Sequence, residues 1–196
     1  MPEETKLVLG DPSALGLISY AIALISLSFI VAHIFPKSDM IMAIIVVGAV
    51  GIGLAGIIDF LRGQTFGGVA FLGWGIFFWA FTYIVAAAPI AKGSAWAAGP
   101  ALPFLGWYFL FWAFFALLTF LGSIMAKKWV VLHFALGFTT LMLIFVAIAH
   151  WIANPEPNHT FMLIGGICGI IAAVCAGYTA FAALLNELAG KKVVPA

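Results

Sequence analysis

Long apolar stretches alternate with short polar breaks along the whole chain. A helix needs about 20 mostly apolar residues to cross the roughly 30 Å hydrocarbon core of a bilayer. The pattern predicts six transmembrane helices, at residues 13–35, 39–58, 66–88, 102–125, 129–152 and 160–186. We therefore expect residues 1–196 to form a single all-α membrane domain, a six-helix bundle with an N-terminal segment, 1–12, and a C-terminal tail, 187–196.

The composition agrees with this pattern. Hydrophobic residues make up 65% of the chain, charged residues only 8%, and the mean hydropathy is +1.22. So few polar side chains cannot cover the surface of a water-soluble globule, which indicates an integral membrane protein.

The basic residues predict how the bundle is oriented. Lys and Arg are in excess in the cytoplasmic loops of membrane proteins. Six predicted turn or tail residues share the side of the termini and two lie opposite: Lys6, Arg62, Lys127, Lys128, Lys191 and Lys192 against Lys37 and Lys92. We expect a protein of the cytoplasmic membrane with both termini in the cytoplasm. The net charge of +1 gives no reason to expect a nucleic-acid partner.

Ionisable residues avoid the centres of the predicted helices, where one charge costs roughly 2.5–3.5 kcal/mol. Those nearest the helix ends are His33, Asp59, Arg62, His133, His150 and Glu187. We interpret them as interfacial groups, with Asp59 and Arg62 paired at i,i+3 spacing. Motifs for nucleotide binding, zinc hydrolysis or a serine nucleophile are absent from the sequence. We therefore expect neither an enzyme nor a metal or cofactor site.

Two alternatives stay open on the residues alone. His33 and His150 lie near the outer ends of their helices and could together hold a b-type haem, as in a membrane subunit of an oxidoreductase. The chain could also be a purely structural scaffold.

An aromatic phrase occurs twice, as FLGWGIFFWAF at 71–81 and FLGWYFLFWAF at 104–114. Aromatic rings have positively polarised edges, and Gly lets a solute approach backbone dipoles. Such a lining can pass a small, partly apolar anion without holding it tightly. Periodicity leaves open whether these rings line a path, pack in the core or face lipid.

Four segments resemble one family of transporters. DPSALGLISY at 11–20 resembles the NPAPLGL signature that opens the first helix of the acetate uptake transporter family. The likeness continues through GQTFGGVAFLGWGIFFW at 63–79, FLGWY at 104–108 and LLNELAGKKVVP at 184–195. This family includes bacterial succinate-acetate permeases and the yeast acetate and ammonia transport proteins.

The resemblance implies a hexamer in which each six-helix protomer has its own path for acetate and related short carboxylates. It places a constriction on helices 1, 3 and 5, at Tyr20, Trp74 and a third position near Phe138. The spacing in helix 5 leaves Gly137 and Leu141 as alternatives to Phe138. These side chains are bulkier than the usual set, which predicts a narrow pore that favours acetate over succinate.

The rest of the expected path follows the same segments. Its residues are Asp11, Pro12, Leu15, Gly16, Leu17, Ser19, Phe71, Gly73, Gly75, Phe77, Thr82 and Thr139. Among them Ser19, Thr82 and Thr139 are expected to offer weak polar sites. If transport is coupled to protons, Glu187, His33 and Asp11 are the candidate titratable groups. A path for ammonia or another small neutral solute is the nearest alternative within transport.

The first segment departs from the signature at two positions, with Asp11 for Asn and Ala14 for Pro. Asp11 followed by Pro12 predicts the start of helix 1, with Asp as the N-cap and Pro as the first helical residue. An aspartate there would occupy part of the positive helix end that could otherwise attract a carboxylate.

Overall fold

The structure of the protein, a computed structural model, describes residues 9–90, 102–153 and 155–195. Its helices are α1 (Ser13–Val31), α2 (Asp39–Leu61), α3 (Thr65–Ile90), α4 (Leu102–Met125), α5 (Val130–Trp151) and α6 (His159–Ala189). Each of the six is long and apolar enough to cross a membrane. The predicted all-α, six-helix fold is confirmed. Lys6 and Lys92, which entered the charge comparison, lie outside the described residues.

Three helices end three or four residues from the position that the hydrophobic pattern predicts. α1 stops at Val31 rather than at residue 35, because His33 adopts a left-handed conformation with φ 56°. α2 continues to Leu61, and α6 continues to Ala189 before Gly190 ends it with φ 62°. Glu187 therefore belongs to the last turn of α6 and not to the C-terminal tail.

The start of α1 agrees with the predicted span of 13–35, but its cap lies one residue later than the Asp11-Pro12 pattern predicts. Pro12 is the N-cap and Ser13 is the first helical residue. Asp11 still binds the helix end, since its carboxylate accepts a hydrogen bond from the Ser13 amide at 2.9 Å. The aspartate thus satisfies one of the free N–H groups of the first turn.

The helices are arranged as a ring. α1 packs along α2 on one side and α6 on the other, α2 continues to α3, and α6 continues through α5 to α4. Backbone contact between α3 and α4 is sparse by comparison. Large aromatic side chains fill this last junction, the aromatic seam: Phe77, Phe81, Tyr108, Phe109, Trp112 and Phe115.

Glycines bring α2 close to both of its neighbours. A methyl group on Gly48 would come within 2.8 Å of the Ala23 side chain in α1. One on Gly56 would approach the Leu72 backbone nitrogen in α3 to 2.5 Å. Close van der Waals packing of this kind is a main attraction between helices in lipid, where the hydrophobic effect gives little.

The two ends of the bundle differ in charge. α1 begins and α6 ends at the same end, the termini end, where Asp11, Arg62, Lys128 and Glu187 also lie. The opposite, distal end carries His33, whose ring stacks on that of His159 at 5.2 Å.

Candidate functional site

A cavity of about 350 Å³ extends into the bundle from the termini end, between α1, α3, α5 and α6. Its outer part, the cavity mouth, is lined by polar and charged side chains: Asp11, Ser13, Asp59, Lys128, Asn186 and Glu187. Its inner part is mostly apolar and is lined by Leu17, Tyr20, Phe71, Trp74, Leu132 and Leu136, among others. Because Asp11, Lys128 and Glu187 are exposed, the cavity reaches the surface at that end.

Aromatic rings end the cavity in the middle of the bundle. Tyr20 of α1 and Trp74 of α3 are 3% and 2% exposed, and their rings meet edge to face with centroids 5.3 Å apart. One turn further along α3, Phe78 packs against Tyr20 at 6.1 Å and Phe77 against Trp74 at 5.6 Å. A solute that entered from the termini end would meet these rings before it could go further.

A hydrogen bond joins α1 to α5 at this level. The hydroxyl groups of Tyr20 and Thr139 are 2.7 Å apart. Thr139 donates its hydroxyl hydrogen to the Ala135 carbonyl at 2.8 Å, so Tyr20 is the donor to Thr139. Tyr20, Trp74 and Thr139 together form the closure, and neither of its hydroxyl groups has a hydrogen left to donate.

Trp74 supplies the remaining donor of the closure. Its indole Nε1 is buried and has no hydrogen-bond acceptor among the described residues. Leaving such a donor unpaired costs about 1–3 kcal/mol. The nitrogen itself is covered by its neighbours, so an acceptor oxygen from the cavity can reach this N–H only once side chains of the closure move.

Ion pairs link α1 to α2 at the cavity mouth. The Arg62 guanidinium lies 3.2 Å from a carboxylate oxygen of Asp59 and 3.2 Å from one of Asp11. The predicted pair of Asp59 and Arg62 is confirmed, whereas the second pair was not predicted. Partial burial raises the pKa of Asp11, but hydrogen bonds to Ser13 and the charge of Arg62 outweigh it, so the pKa lies below its usual value.

Several residues of the expected path do meet at the cavity. Asp11, Leu17 and Phe71 line it, and Tyr20, Trp74 and Thr139 form its inner end. Pro12 and Gly16 are buried beside it, with the Phe71 ring lying directly on Gly16.

Phe138 lies on a different face of α5 and not with Tyr20 and Trp74. It lines a separate groove between α4 and α5, and so do its two alternatives, Gly137 and Leu141. Successive residues of a helix point about 100° apart, so a shift of one position moves a side chain off the face. The residue of α5 that reaches Tyr20 is Thr139, and Leu132 and Leu136 line the cavity below it.

Four further residues of the expected path also face elsewhere. Leu15 is 46% exposed, Ser19 lies against Gly51 of α2, Gly73 against Phe115 of α4, and Gly75 against the α2 backbone. The segments that resemble the family cover whole helical turns, but only every third or fourth residue of a helix shares one face. The segment match therefore could not say which of its residues turn inward.

Phe77 and Thr82 are buried further toward the distal end. Phe77 is fully buried in the aromatic seam, where it contacts Tyr108 and Trp112. The Thr82 hydroxyl donates to the Phe78 carbonyl of its own helix at 2.9 Å, so its hydrogen is already used.

The three candidates for proton coupling are divided between the two ends of the bundle, and Asp11 lies at the cavity mouth. Glu187 lines the cavity mouth. His33 is exposed at the distal end, in the turn after α1. Lys128, Leu136 and Asn186 line the cavity but were not predicted from the sequence. They lie on a turn and on two helix faces that meet only in the folded bundle.

Comparison with known proteins identifies the family. Residues 2–195 match the sequence profile of the GPR1/FUN34/yaaH family. The chain belongs to this family.

Two relatives and a solved structure agree with that assignment. The succinate-acetate/proton symporter SatP of Escherichia coli K12 is 30% identical over 188 residues, which cover 95% of each chain. An uncharacterized protein of Methanothermobacter thermautotrophicus is 28% identical over 200 residues, 98% of this chain and 95% of the relative. The structure of the bacterial acetate channel SatP superposes with a TM-score of 0.86 at 28% identity, covering 96% of this chain and 99% of that one. The resemblance seen in the sequence is thus confirmed.

In this GPR1/FUN34/yaaH protein the histidines give the haem alternative no support. His33 stacks on His159. The His150 ring instead packs against Phe109, and its Nδ1 lies 2.8 Å from the Val146 carbonyl oxygen. His33 and His150 thus each pack against another ring, and the structure does not bring the two together as a shared haem site would need.

Proposed function

We propose that this protein is a permease or channel for acetate and related short monocarboxylates, with one path through each protomer. A carboxylic acid has a reference pKa near 4, so it is mostly an anion at neutral pH, and the hydrocarbon core excludes anions. The observation that carries the proposal is the cavity that leads from charged side chains to the closure, where the Trp74 indole N–H has no acceptor among the described residues.

The closure suits the two halves of acetate. When the closure opens, the methyl group of acetate can lie against the rings of Tyr20 and Phe71, while a carboxylate oxygen accepts the hydrogen of Trp74 Nε1. A hydrogen bond to a charged group contributes about 1.5–3 kcal/mol, which is enough to orient the anion and small enough to release it. A fixed positive charge at this depth would hold the anion more tightly and slow its exit.

Passage requires the closure to open. The hydrogen bond from Tyr20 to Thr139 contributes about 1 kcal/mol, so this bond by itself is only a small part of the barrier to moving the Tyr20 ring. Beyond it the solute meets Phe77 and Phe78, both fully buried. A second carboxylate, as in succinate, would lie without partners among these rings, and the closure therefore favours acetate.

The proposed setting is the cytoplasmic membrane, with the termini end in the cytoplasm and six protomers in each assembly. Support comes from the resemblance and from the basic turns at the termini end. α4 also presents an apolar outer face suited to lipid or a neighbouring protomer, which includes Phe104, Trp107, Phe111 and Phe114.

Coupling to protons is proposed to involve Glu187 first. Its carboxylate lines the cavity mouth, so a permeating anion passes it. His33 would act only at the other end of the path.

Uptake of radiolabelled acetate into proteoliposomes tests the proposal. We expect uptake well above that of empty liposomes, and a faster rate with an inward proton gradient only if transport is coupled. Vesicles that take up no acetate above the empty control would defeat the proposal. Uptake of methylamine without acetate would instead favour the neutral-solute path.

A further inference from the structure

We infer that Lys128 is the residue that recruits the carboxylate at the cavity mouth, and that the mouth accepts one carboxylate at a time. This rests on the proposed function and names a binding residue for the same path. The argument comes from the distribution of charge around the cavity.

Lys128 is placed by a tight turn. α4 ends at Met125, Lys127 adopts a left-handed conformation with φ 50°, and the Lys128 amide donates to the Ser123 carbonyl at 3.0 Å. This turn directs Lys128 and Trp129 to the lining of the cavity, whereas Lys127 does not contribute to it. Two adjacent lysines therefore differ in access to the cavity.

The ammonium group is restrained without being neutralised. Lys128 Nζ lies 5.7 Å from the centroid of the Phe66 ring, which also lines the cavity. An aromatic face attracts a cation but leaves its charge available to an anion. Within the described residues Lys128 has no carboxylate partner within ion-pair distance.

Arg62, a second cation near the cavity mouth, is already engaged. Arg62 is bound by Asp11 and Asp59 together, so its positive charge faces two negative ones. A carboxylate that enters the cavity would have to displace one of them to reach the guanidinium. Lys128 forms no close ion pair with a described carboxylate, so none has to be broken before it meets an incoming anion.

The acidic residues explain why one carboxylate is the limit. Asp11, Asp59 and Glu187 line the same cavity as Lys128. A monocarboxylate can direct its charge to Lys128 and its apolar part inward to the rings. The second carboxylate of a dicarboxylate would have to lie near these like charges, which disfavour it.

The experiment compares neighbouring lysines in proteoliposomes, with acetate applied at the termini end. Lys128→Gln is expected to raise the half-saturating acetate concentration roughly fivefold, the loss of one close charge contact in water. Lys127→Gln makes the same charge change one residue away and is expected to stay within about twofold of the wild type, because it lies outside the cavity. Lys128→Arg keeps the charge and should restore most of the affinity.

Added salt and a second anion sharpen the result. Raising the ionic strength should weaken acetate binding in the wild type, because salt screens the contact between Lys128 and the carboxylate. It should hardly affect binding in Lys128→Gln, which lacks this contact. Glu187→Gln should strengthen competition by succinate more than competition by propionate.

Equal half-saturation in the Lys128→Gln and Lys127→Gln variants would overturn the inference. So would a Lys128→Gln variant with a lower maximal rate and unchanged half-saturation, the result expected if Lys128 only binds lipid phosphate. A wild type without acetate uptake would defeat the proposed function and this inference with it, whereas normal uptake by both wild type and Lys128→Gln defeats the inference alone.

Discussion

Trp74 and Trp107 occupy the same place in two copies of one sequence phrase, yet they have different surroundings. Trp74 is 2% exposed and lies at the inner end of the cavity. Trp107 is 51% exposed, and its ring meets that of Trp151 at 5.1 Å near the distal end. The neighbours of each helix, and not the local sequence, decide which tryptophan can meet a solute.

The first prediction tests the indole N–H. Trp74→Phe keeps a ring beside Tyr20 but removes the donor, so acetate uptake at sub-saturating concentration should fall about tenfold or more, the equivalent of a hydrogen bond to a charged group. Trp107→Phe makes the same change on the outer surface and should transport normally. Equal uptake by the two variants would contradict a role for the Trp74 N–H.

The ring of Trp74 can be tested separately. Trp74→Ala removes the bulk that narrows the path, so succinate uptake relative to acetate should rise. Transport of both acids is measured in one preparation. Unchanged selectivity would show that Trp74 does not control the width of the path.

A third prediction concerns the bond across the closure. Tyr20→Phe removes a hydrogen bond and leaves Thr139 bound to Ala135, so the free energy of unfolding should fall by about 1 kcal/mol. Thr139→Val leaves the Tyr20 hydroxyl buried without an acceptor and should cost more, up to about 3 kcal/mol. Thermal unfolding in detergent measures both, and a larger loss for Tyr20→Phe would contradict the assignment of Tyr20 as donor.

At the scale of the helices, the sequence predicted most of the fold but only part of the site. Each apolar stretch became one helix, because length and hydropathy suffice to define a membrane span. The rotation of a helix about its axis could not be predicted in this way, because α5 is apolar on most faces. Phe138 and Thr139 are adjacent, and packing against α1 and α4 determines which of them turns to the cavity.

Close packing of α2 on α3 makes a fourth prediction. Gly56→Ala would force a methyl group against the Leu72 backbone, which cannot move aside as a flexible side chain would. We expect a loss of roughly 1–3 kcal/mol, as for other overpacked sites. Gly53→Ala is the control on the same helix, because a methyl group there meets nothing within 4 Å. Similar unfolding temperatures for the two variants would argue against tight packing at Gly56.

The tie between α1 and α2 gives a pH prediction. The folded-state pKa of Asp11 lies below its reference value of 3.8. Ionised Asp11 therefore stabilises the fold fully above pH 3.8, and this stabilisation is lost as the pH falls through the folded-state pKa. The contribution is small, below about 1 kcal/mol, because Asp11 is half-exposed and screened. Between pH 5 and 8 its charge is constant, and it cannot cause a pH dependence of transport in that range.

Asp11→Asn removes a negative charge from the cavity mouth and frees part of the Arg62 charge. We expect folding to be retained and acetate flux to rise by a similar factor at pH 5.5 and 7.5. Uptake at the two pH values measures this. An unchanged or lower flux would count against an inhibitory charge at Asp11.

At the scale of the whole molecule, the order of helices around the ring could not be predicted from the chain. Helical hydropathy sets which segments cross the membrane but not which ones touch. In the ring α1 lies between α2 and α6, so the first and last helices of the chain are neighbours. Because these two helices are neighbours, Asp11 and Glu187 line one cavity although they are far apart in sequence.

The cavity is open at one end of the bundle and ends at the closure. The two faces of the protein should therefore differ in their sensitivity to a blocking compound. A membrane-impermeant aromatic carboxylate too wide to pass Trp74 could enter from the termini end, bind in the cavity and block the path. On the other face the same compound would not meet the cavity mouth, which lies at the termini end. Blockade should therefore be sided, so a single inhibitor could report which way the protein faces in a membrane.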